Sequence, residues 1–405
     1  MSTDNSNFLV AEAQLALAQE RKEKAERIKT LGDPIQLPGI ALAIQVRGGD
    51  AWISENTTIV RKLDLESGKT KQIYKGHTGP VTCLAFCDKI PGSGDSKILI
   101  TGSWDQTIKL WDTETKELLS STEGHDDFVK SLFVFPSLQL LVSGGSDKIV
   151  RFWDLSTPLQ PEPLSSVGSI SSHTRPVECL EGRTTPDGGA VLYTADTMGI
   201  IRSWDLVKER GSSPRWLSTL KNEYTQHRTR INEIMCGNNH IWTASADETV
   251  QVIPETSTTV GTKPLPPIAH PIAVRTILPL SLTDLGEPYL LTGSGDVIRV
   301  YDVSSLEEPE LISEIDAHWH DVTAIRFWAR KFTGEDKLTR VEPWIISASL
   351  DGTIRKWRLT ELLNPPPPAP LVNIVASDKL PAIKEDEQFA MTEEEERELA
   401  ELLDD

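Results

Sequence analysis

Short apolar runs of four to seven residues recur along this chain, bounded by Gly, Pro, Asp and Ser, and they read as β-strands. The clearest runs keep a fixed order. A strand leads to a histidine beside a tight turn, then come a second strand, a Ser or Thr four residues before an Asp, a third strand and a Trp-Asp pair. One copy starts at Gly76–His77 and passes through ILITGSWDQTIKLWD to Trp111–Asp112. The next starts at Gly124–His125 and ends, through LLVSGGSDKIVRFWD, at Trp153–Asp154. A looser copy runs from Ser172–His173 through VLYTADTMGIIRSWD to Trp204–Asp205. Three more begin at Gln226–His227, Ala269–His270 and Ala317–His318, with Ile253 and Tyr301 in the Trp place of the first two and Trp357 ending the last. The six histidines lie 48, 48, 54, 43 and 48 residues apart, a period that fits four short strands plus loops.

Upstream, IALAIQV (40–46), AWISE (51–55) and TIVRKLD (58–64) repeat the strand pattern without the histidine or the terminal Trp. One four-stranded sheet of this kind cannot bury both faces alone, so successive sheets must stack around a ring. The pattern therefore predicts an all-β, seven-bladed β-propeller over residues 34–360. Closing such a ring needs a strand from the far end of the chain. PIQLPG (34–39), which aligns with KQIYKG (71–76), is expected to supply the outer strand of the last blade, with LVNIV (371–375) as the competitor.

The Gly-His pairs, the Asp six residues before Trp and the Trp-Asp endings, spread over residues 34–358, resemble the WD40 repeat family. A buried histidine needs partners for both ring nitrogens, and a turn aspartate can accept one of those protons. The resemblance implies that a strand hydroxyl and the Trp indole N–H complete the chain. The second unit would use His77, Thr101, Asp105 and Trp111; the third His125, Ser143, Asp147 and Trp153; the last His318, Ser347, Asp351 and Trp357. Met198 stands at the Asp position of the fourth unit and Ile253 at the Trp position of the fifth, so those blades are expected to lean on apolar packing. This assignment absorbs six of eight histidines, leaving His240 and His320. No Walker loop, G-x-G-x-x-G, G-x-S-x-G or H-E-x-x-H occurs, and no catalytic residue, cofactor or metal is expected. His318-Trp319-His320 is the one spacing that resembles a metal pair.

Charge adds a preference in partners. The chain of 405 residues carries a net charge of −19, and about half of it lies between Glu385 and Asp405. An acidic chain repels phosphate backbones, so direct nucleic-acid binding is not expected, whereas basic protein partners are favoured. No apolar run reaches eighteen residues, so no membrane span is expected. The N-terminus does not read as a secretory signal, and Cys83, Cys87, Cys179 and Cys236 form no C-x-x-C pair. Reduced thiols in a cytoplasmic or nuclear protein are the expectation.

Two flanking segments complete the layout. Residues 1–33 form an N-terminal extension, helical over 8–30, with Glu20/Lys24 and Glu23/Arg27 spaced for i,i+4 pairs. It would pack on the rim or offer a helix to a partner. Residues 361–405 hold the stiff spacer NPPPPAP and the acidic stretch MTEEEERELAELLDD, with a capping-box pattern at Thr392 and Glu395. That stretch reads either as a solvated tail or as an acidic amphipathic helix using Leu399, Leu402 and Leu403 to hold a partner.

The family resemblance implies a docking face around the central channel, built from residues just after each His and just before each turn Asp. Carried over by position, these are Trp104, Asp127, Phe128, Arg175, Arg228, Arg230, Trp319 and His320. Aromatic and Arg side chains dominate interface energies. The three arginines fall on adjacent units and would make a basic patch suited to an acidic peptide, phosphopeptide or phosphate group. The expected function is a protein-binding scaffold or adaptor, a monomer within a hetero-complex. The alternatives are an escort for a basic protein such as a ribosomal protein or histone, and a ubiquitin-ligase substrate receptor. The second is weakened because Thr113, Leu155 and Leu206 follow the Trp-Asp pairs without the W-D-x-R of some such receptors.

Overall fold

Each repeat unit contributes to one four-stranded antiparallel sheet, and seven such sheets are present in the computed structural model, which describes residues 12–209, 215–255, 264–333 and 339–365. Blade 1 contains Ala41–Arg47, Asp50–Glu55, Ile59–Asp64 and Thr70–Lys75; blade 2 contains Val81–Cys87, Ile98–Ser103, Thr107–Asp112 and Leu118–Glu123. Blade 3 contains Val129–Phe135, Leu140–Gly145, Val150–Asp154 and Ser166–Ile170; blade 4 contains Val177–Thr184, Ala190–Asp196, Ile201–Lys208 and Trp216–Tyr224. Blade 5 contains Ile231–Gly237, His240–Ser245, Thr249–Pro254 and Ile268–Ala269; blade 6 contains Val274–Pro279, Tyr289–Ser294, Val297–Asp302 and Glu310–Asp316. Blade 7 takes Val322–Thr333, Thr339–Ser349 and Thr353–Arg358 from one end of the sequence and Ile35–Gln36 from the other.

The ring closes through Ile35 opposite Ile354 and Gln36 opposite Thr353. PIQLPG thus supplies the closing strand; LVNIV lies outside the described residues. First strands of neighbouring blades adjoin one another and line the channel. All seven carry a register shift near their start, between Ala41 and Ala43 in blade 1, Val81 and Cys83 in blade 2, and so on to Val322 and Ala324 in blade 7. Such a bulge bends the strand and re-aims a side chain. The upstream unit shares it although its motif residues are gone, so it is a true blade.

The buried apolar side chains fall into seven clusters, each at one junction between adjacent blades. Trp52, Val60 and Tyr74 of blade 1 pack with Leu84, Leu99 and Trp111 of blade 2. Leu37, Ala41 and Ile53 join Trp328, Ile346 and Ile354 across the closing junction. Core burial therefore stabilises the ring only when each blade has both neighbours.

Three features depart from the sequence expectations. Helix α1 spans Glu12–Arg27 and stops before residue 30, because Ile28 turns inward and the Arg355 guanidinium donates to the Ile28 and Leu31 carbonyls. The expected i,i+4 pairs do not form. Lys24 Nζ bonds Asp296 at 2.7 Å and Asp316 at 2.9 Å, Arg27 bonds Asp316 at 2.7 Å, and Glu23 accepts from Gln19. Fixed carboxylates on blade 6 outcompete a flexible partner on the same helix. Blade 7 also extends its first hairpin to Thr333 and Thr339, where Trp328 lies 6.0 Å from Trp344, an elongation that the repeat pattern does not foretell. A second short helix, α2 (Leu359–Leu363), seals the end of blade 7 by burying Leu359 and Leu362. The acidic stretch with Leu399, Leu402 and Leu403 lies outside the described residues.

Candidate functional site

The histidines must be placed first, because a His beside an Asp is also the start of a catalytic or metal site. In blade 2 the Trp111 indole donates to Thr101 Oγ1 at 3.0 Å, Thr101 Oγ1 lies 2.7 Å from His77 Nε2, and His77 Nδ1 lies 2.8 Å from Asp105. Every donor finds an acceptor if His77 carries its proton on Nδ1. Blade 3 repeats the chain with Trp153, Ser143, His125 and Asp147 at 2.8, 2.7 and 2.9 Å. Blade 7 repeats it with Trp357, Ser347, His318 and Asp351 at 2.9, 2.8 and 2.9 Å. Burial, the largest single influence, would raise the Asp147 carboxyl, but His125 and the Ile149 and Asp126 N–H donors together outweigh it and hold the group at about 2.

The other four blades reach the same end differently. In blade 4, Met198 is exposed and Arg202 takes the missing carboxylate's place, 3.1 Å from His173 Nδ1 and 3.3 Å from the fully buried Asp196. A guanidinium can only donate, so His173 carries its proton on Nε2 toward Thr194 Oγ1, 3.2 Å away. Burial and then Arg202 push His173 down to about 4. The expectation of mainly apolar compensation fails here; a charged pair does the work. Blade 5 keeps His227 2.7 Å from Thr243 and 3.1 Å from Asp247, while Ile253 is buried without an indole donor. In blade 6, His270 Nε2 meets Thr292 at 2.9 Å and Nδ1 donates to the Ile268 carbonyl at 3.1 Å. Asp296, one residue past the register position, is held by Lys24 instead. Blade 1 replaces the whole set with Glu55 and Arg61, an ion pair at 2.5 Å with both side chains buried.

These six histidines are therefore committed to the blades. His318 is fully buried with both nitrogens occupied, so it cannot share a metal with His320, whose Nδ1 accepts the Asp321 N–H at 2.7 Å. Among the described residues no group of three His, Cys, Asp or Glu could hold a metal ion.

The residues expected to form a docking face lie on the end of the ring made by the loops after the histidines and the turns between second and third strands. Trp104 and Phe128 come from different blades and stack with centroids 4.8 Å apart and planes 16° from parallel. They stay 41% and 37% exposed. Asp127 holds the loop, its carboxylate accepting the Phe128 N–H at 2.7 Å, and Lys130 Nζ lies 5.9 Å from the Trp104 ring. Arg175 and Arg228 are exposed and pair with no carboxylate among the described residues. Arg230 differs: it is tied to Glu178 at 2.9 Å. Trp319 is only half exposed and tilts against His320, and Asp321 beside them pairs with Arg275 at 2.7 Å.

Sequence reasoning did not place Met198, Ile272 or Lys130 on this face. Met198 and Ile272 are 49% and 47% exposed. Ile272 follows its histidine by two residues, the same offset as Arg175 and His320, so position could have found it.

The family described as WD domain, G-beta repeat, matches residues 68–112 and 116–154. An uncharacterized WD repeat-containing protein of Schizosaccharomyces pombe is 28% identical over 372 residues, covering 89% of this chain and 90% of that one. The nuclear distribution protein PAC1 of Coccidioides posadasii is 33% identical over 138 residues, 30% of this chain and 28% of its own. The small ribosomal subunit protein RACK1y of Oryza sativa subsp. japonica is 34% identical over 82 residues, 20% of this chain and 23% of its own. The chain thus spans under a third of these last two proteins, but nearly all of the first. Seven sheets in a ring, the recurring His–hydroxyl–Trp chain and these matches together show a seven-bladed β-propeller that carries WD40 repeats.

Proposed function

We propose that this chain is a non-enzymatic scaffold or adaptor subunit of a cytoplasmic or nuclear complex, holding a protein partner on the end of the ring that presents Trp104 and Phe128. The observation that carries the reading is the stacked pair itself. Two large aromatics from separate blades are fixed in place yet left open to solvent, the arrangement of an interface anchor awaiting its partner. The six repeat histidines support binding, since their ring nitrogens are already engaged with blade partners and are not open to a substrate.

The test is affinity purification of the tagged full-length chain against its Trp104→Ala/Phe128→Ala variant, with partners identified by mass. Loss of a partner in the variant, with unchanged melting, supports the reading; full retention of every partner removes it. Anchors of this kind are worth about 2 kcal/mol or more, so the loss should be visible. The eleven carboxylates between Glu385 and Asp405 favour a second reading, an escort that clasps a basic protein with its tail. Deleting residues 385–405 separates the two, because only the escort loses its partner at moderate salt.

A further inference from the structure

We infer that the partner segment seated on this face is an acidic peptide, with an anionic group on Arg175 and Arg228 and a neighbouring aromatic or aliphatic side chain on the Trp104–Phe128 stack. This rests on the reading of that end as the docking face. The argument is one of complementarity. In a chain with a net charge of −19, carboxylates are abundant, and several inward arginines find them: Arg61 with Glu55, Arg202 with Asp196 and Glu223, Arg326 with Glu233, while Arg355 is held by backbone carbonyls. On the face itself Arg230 is tied to Glu178 and Arg275 to Asp321. Arg175 and Arg228, on adjacent blades, are the exposed pair left without a carboxylate among the described residues.

Their surroundings are apolar. Gly199, with φ +81°, lies so close to the carbonyls of His227 and Thr229 that an added Cβ would meet them at 2.8 and 2.7 Å. The turn carrying Met198 is therefore pressed against the loop carrying Arg228. On the next blade Ile272 packs over Gly295 and stays exposed. Proceeding around the ring, the face offers the aromatic stack, then Arg175, then Met198 beside the loop of Arg228, then Ile272. A guanidinium binds carboxylate or phosphate oxygens through paired N–H donors, so either anion would be accepted. In this arc Glu178 is tied to Arg230, and Glu248 in the blade 5 turn is the exposed carboxylate that has no cation among the described residues. Near the stack, Asp126 is turned to Arg151, and the Asp127 carboxylate accepts the Phe128 N–H.

The experiment uses random dodecapeptides displayed on phage, selected on the full-length chain and counter-selected on its Trp104→Ala/Phe128→Ala variant. The expected survivors are rich in Asp and Glu and carry Phe, Trp, Leu or Ile within a few residues. Synthetic copies should bind Arg175→Glu/Arg228→Glu at least about tenfold more weakly, the scale of one lost charge-assisted hydrogen bond. Arg175→Lys/Arg228→Lys should retain part of the affinity. Exchanging a Glu of the best peptide for phosphoserine distinguishes a carboxylate site from a phosphate site; tighter binding of either form supports the inference. Survivors rich in Lys and Arg, or acidic survivors indifferent to Arg175→Glu/Arg228→Glu, overturn the acidic-peptide inference while leaving the docking face intact. If no peptide distinguishes the wild type from the Trp104→Ala/Phe128→Ala variant, the docking face falls, and this inference with it.

Discussion

Blades 2 and 3 and blades 1 and 4 occupy the same ring, with the same bulged inner strands, yet polar groups at their cores are satisfied by opposite means. In blades 2 and 3 a histidine sits between a hydroxyl and a carboxylate, and one indole completes the chain. In blade 4 the histidine faces a guanidinium, and in blade 1 there is no histidine at all, only Glu55 against Arg61. The difference teaches that the fold demands satisfaction of buried polar atoms, not a particular motif. The motif is one solution among several, because a buried donor or acceptor left alone costs about 1–3 kcal/mol whatever residue carries it.

The largest test of this comparison lies in blade 1. Arg61→Met strands the Glu55 carboxylate with 0% exposure and should destabilise the protein by about 3–5 kcal/mol. Glu55→Leu combined with Arg61→Met should recover most of that loss in chemical denaturation. If the double variant is as unstable as the single one, the pair is not a self-contained substitute for the histidine network.

A smaller contrast sets blade 3 against blade 4. Asp147→Ala leaves the His125 Nδ1 proton without its acceptor and should cost about 1–3 kcal/mol. Met198→Ala, at the equivalent position, removes an exposed side chain and should change stability by no more than about 0.5 kcal/mol. Equal effects in the two blades would erase the distinction.

Titration provides a third discrimination. Burial, followed by Arg202 for His173, lowers His173 to about 4; burial also lowers His270 to about 4. Unfolded histidine titrates near 6.5, so below that pH the unfolded chain takes up protons that the fold refuses. The stability these two groups contribute is complete above about pH 6.5 and is lost as pH falls toward 4. Denaturation midpoints between pH 7 and 4 should therefore drop more steeply for the wild type than for His173→Gln/His270→Gln. Parallel curves would contradict the buried neutral state of both rings.

The smallest effect concerns α1. Lys24 bridges two carboxylates on blade 6 that are partly open to water, so Lys24→Ala should cost at most about 1 kcal/mol globally. It should nevertheless speed protease cleavage near residues 18–27, because it leaves Arg27 on Asp316 as the remaining ion pair between the helix and blade 6. Unchanged cleavage would mean that Arg27 on Asp316 and the segment from Ile28 to Gly32 hold the helix without Lys24.

The fold was legible in the sequence to an unusual degree, and for a physical reason. Strand periodicity, the spacing of His77, His125, His173, His227, His270 and His318, and PIQLPG as the closing strand are local signals repeated many times, so an error in one unit is corrected by the others. The proposed docking face was less legible. Trp104 and Phe128 could be named from their positions, but that they stack on one another depends on two loops from different blades. The freedom of Arg175 and Arg228, and the capture of Arg230 by Glu178, depend on which side chains the ring brings within reach. No reading of one repeat could distinguish these three arginines.

By itself, then, the sequence determined the number and order of the blades, the strand that closes them and the residues committed to the His–hydroxyl–Trp chains. These follow from short-range pattern and from the need to satisfy groups within one blade. The tertiary structure alone decided how the broken repeats were mended, with Arg202 reaching His173, Lys24 taking Asp296, and Arg61 meeting Glu55. It also decided which charges on the face stayed free. Those outcomes turn on side chains from strands and loops separated in sequence, and a long, flexible cation settles on whichever carboxylate the folded ring holds nearest.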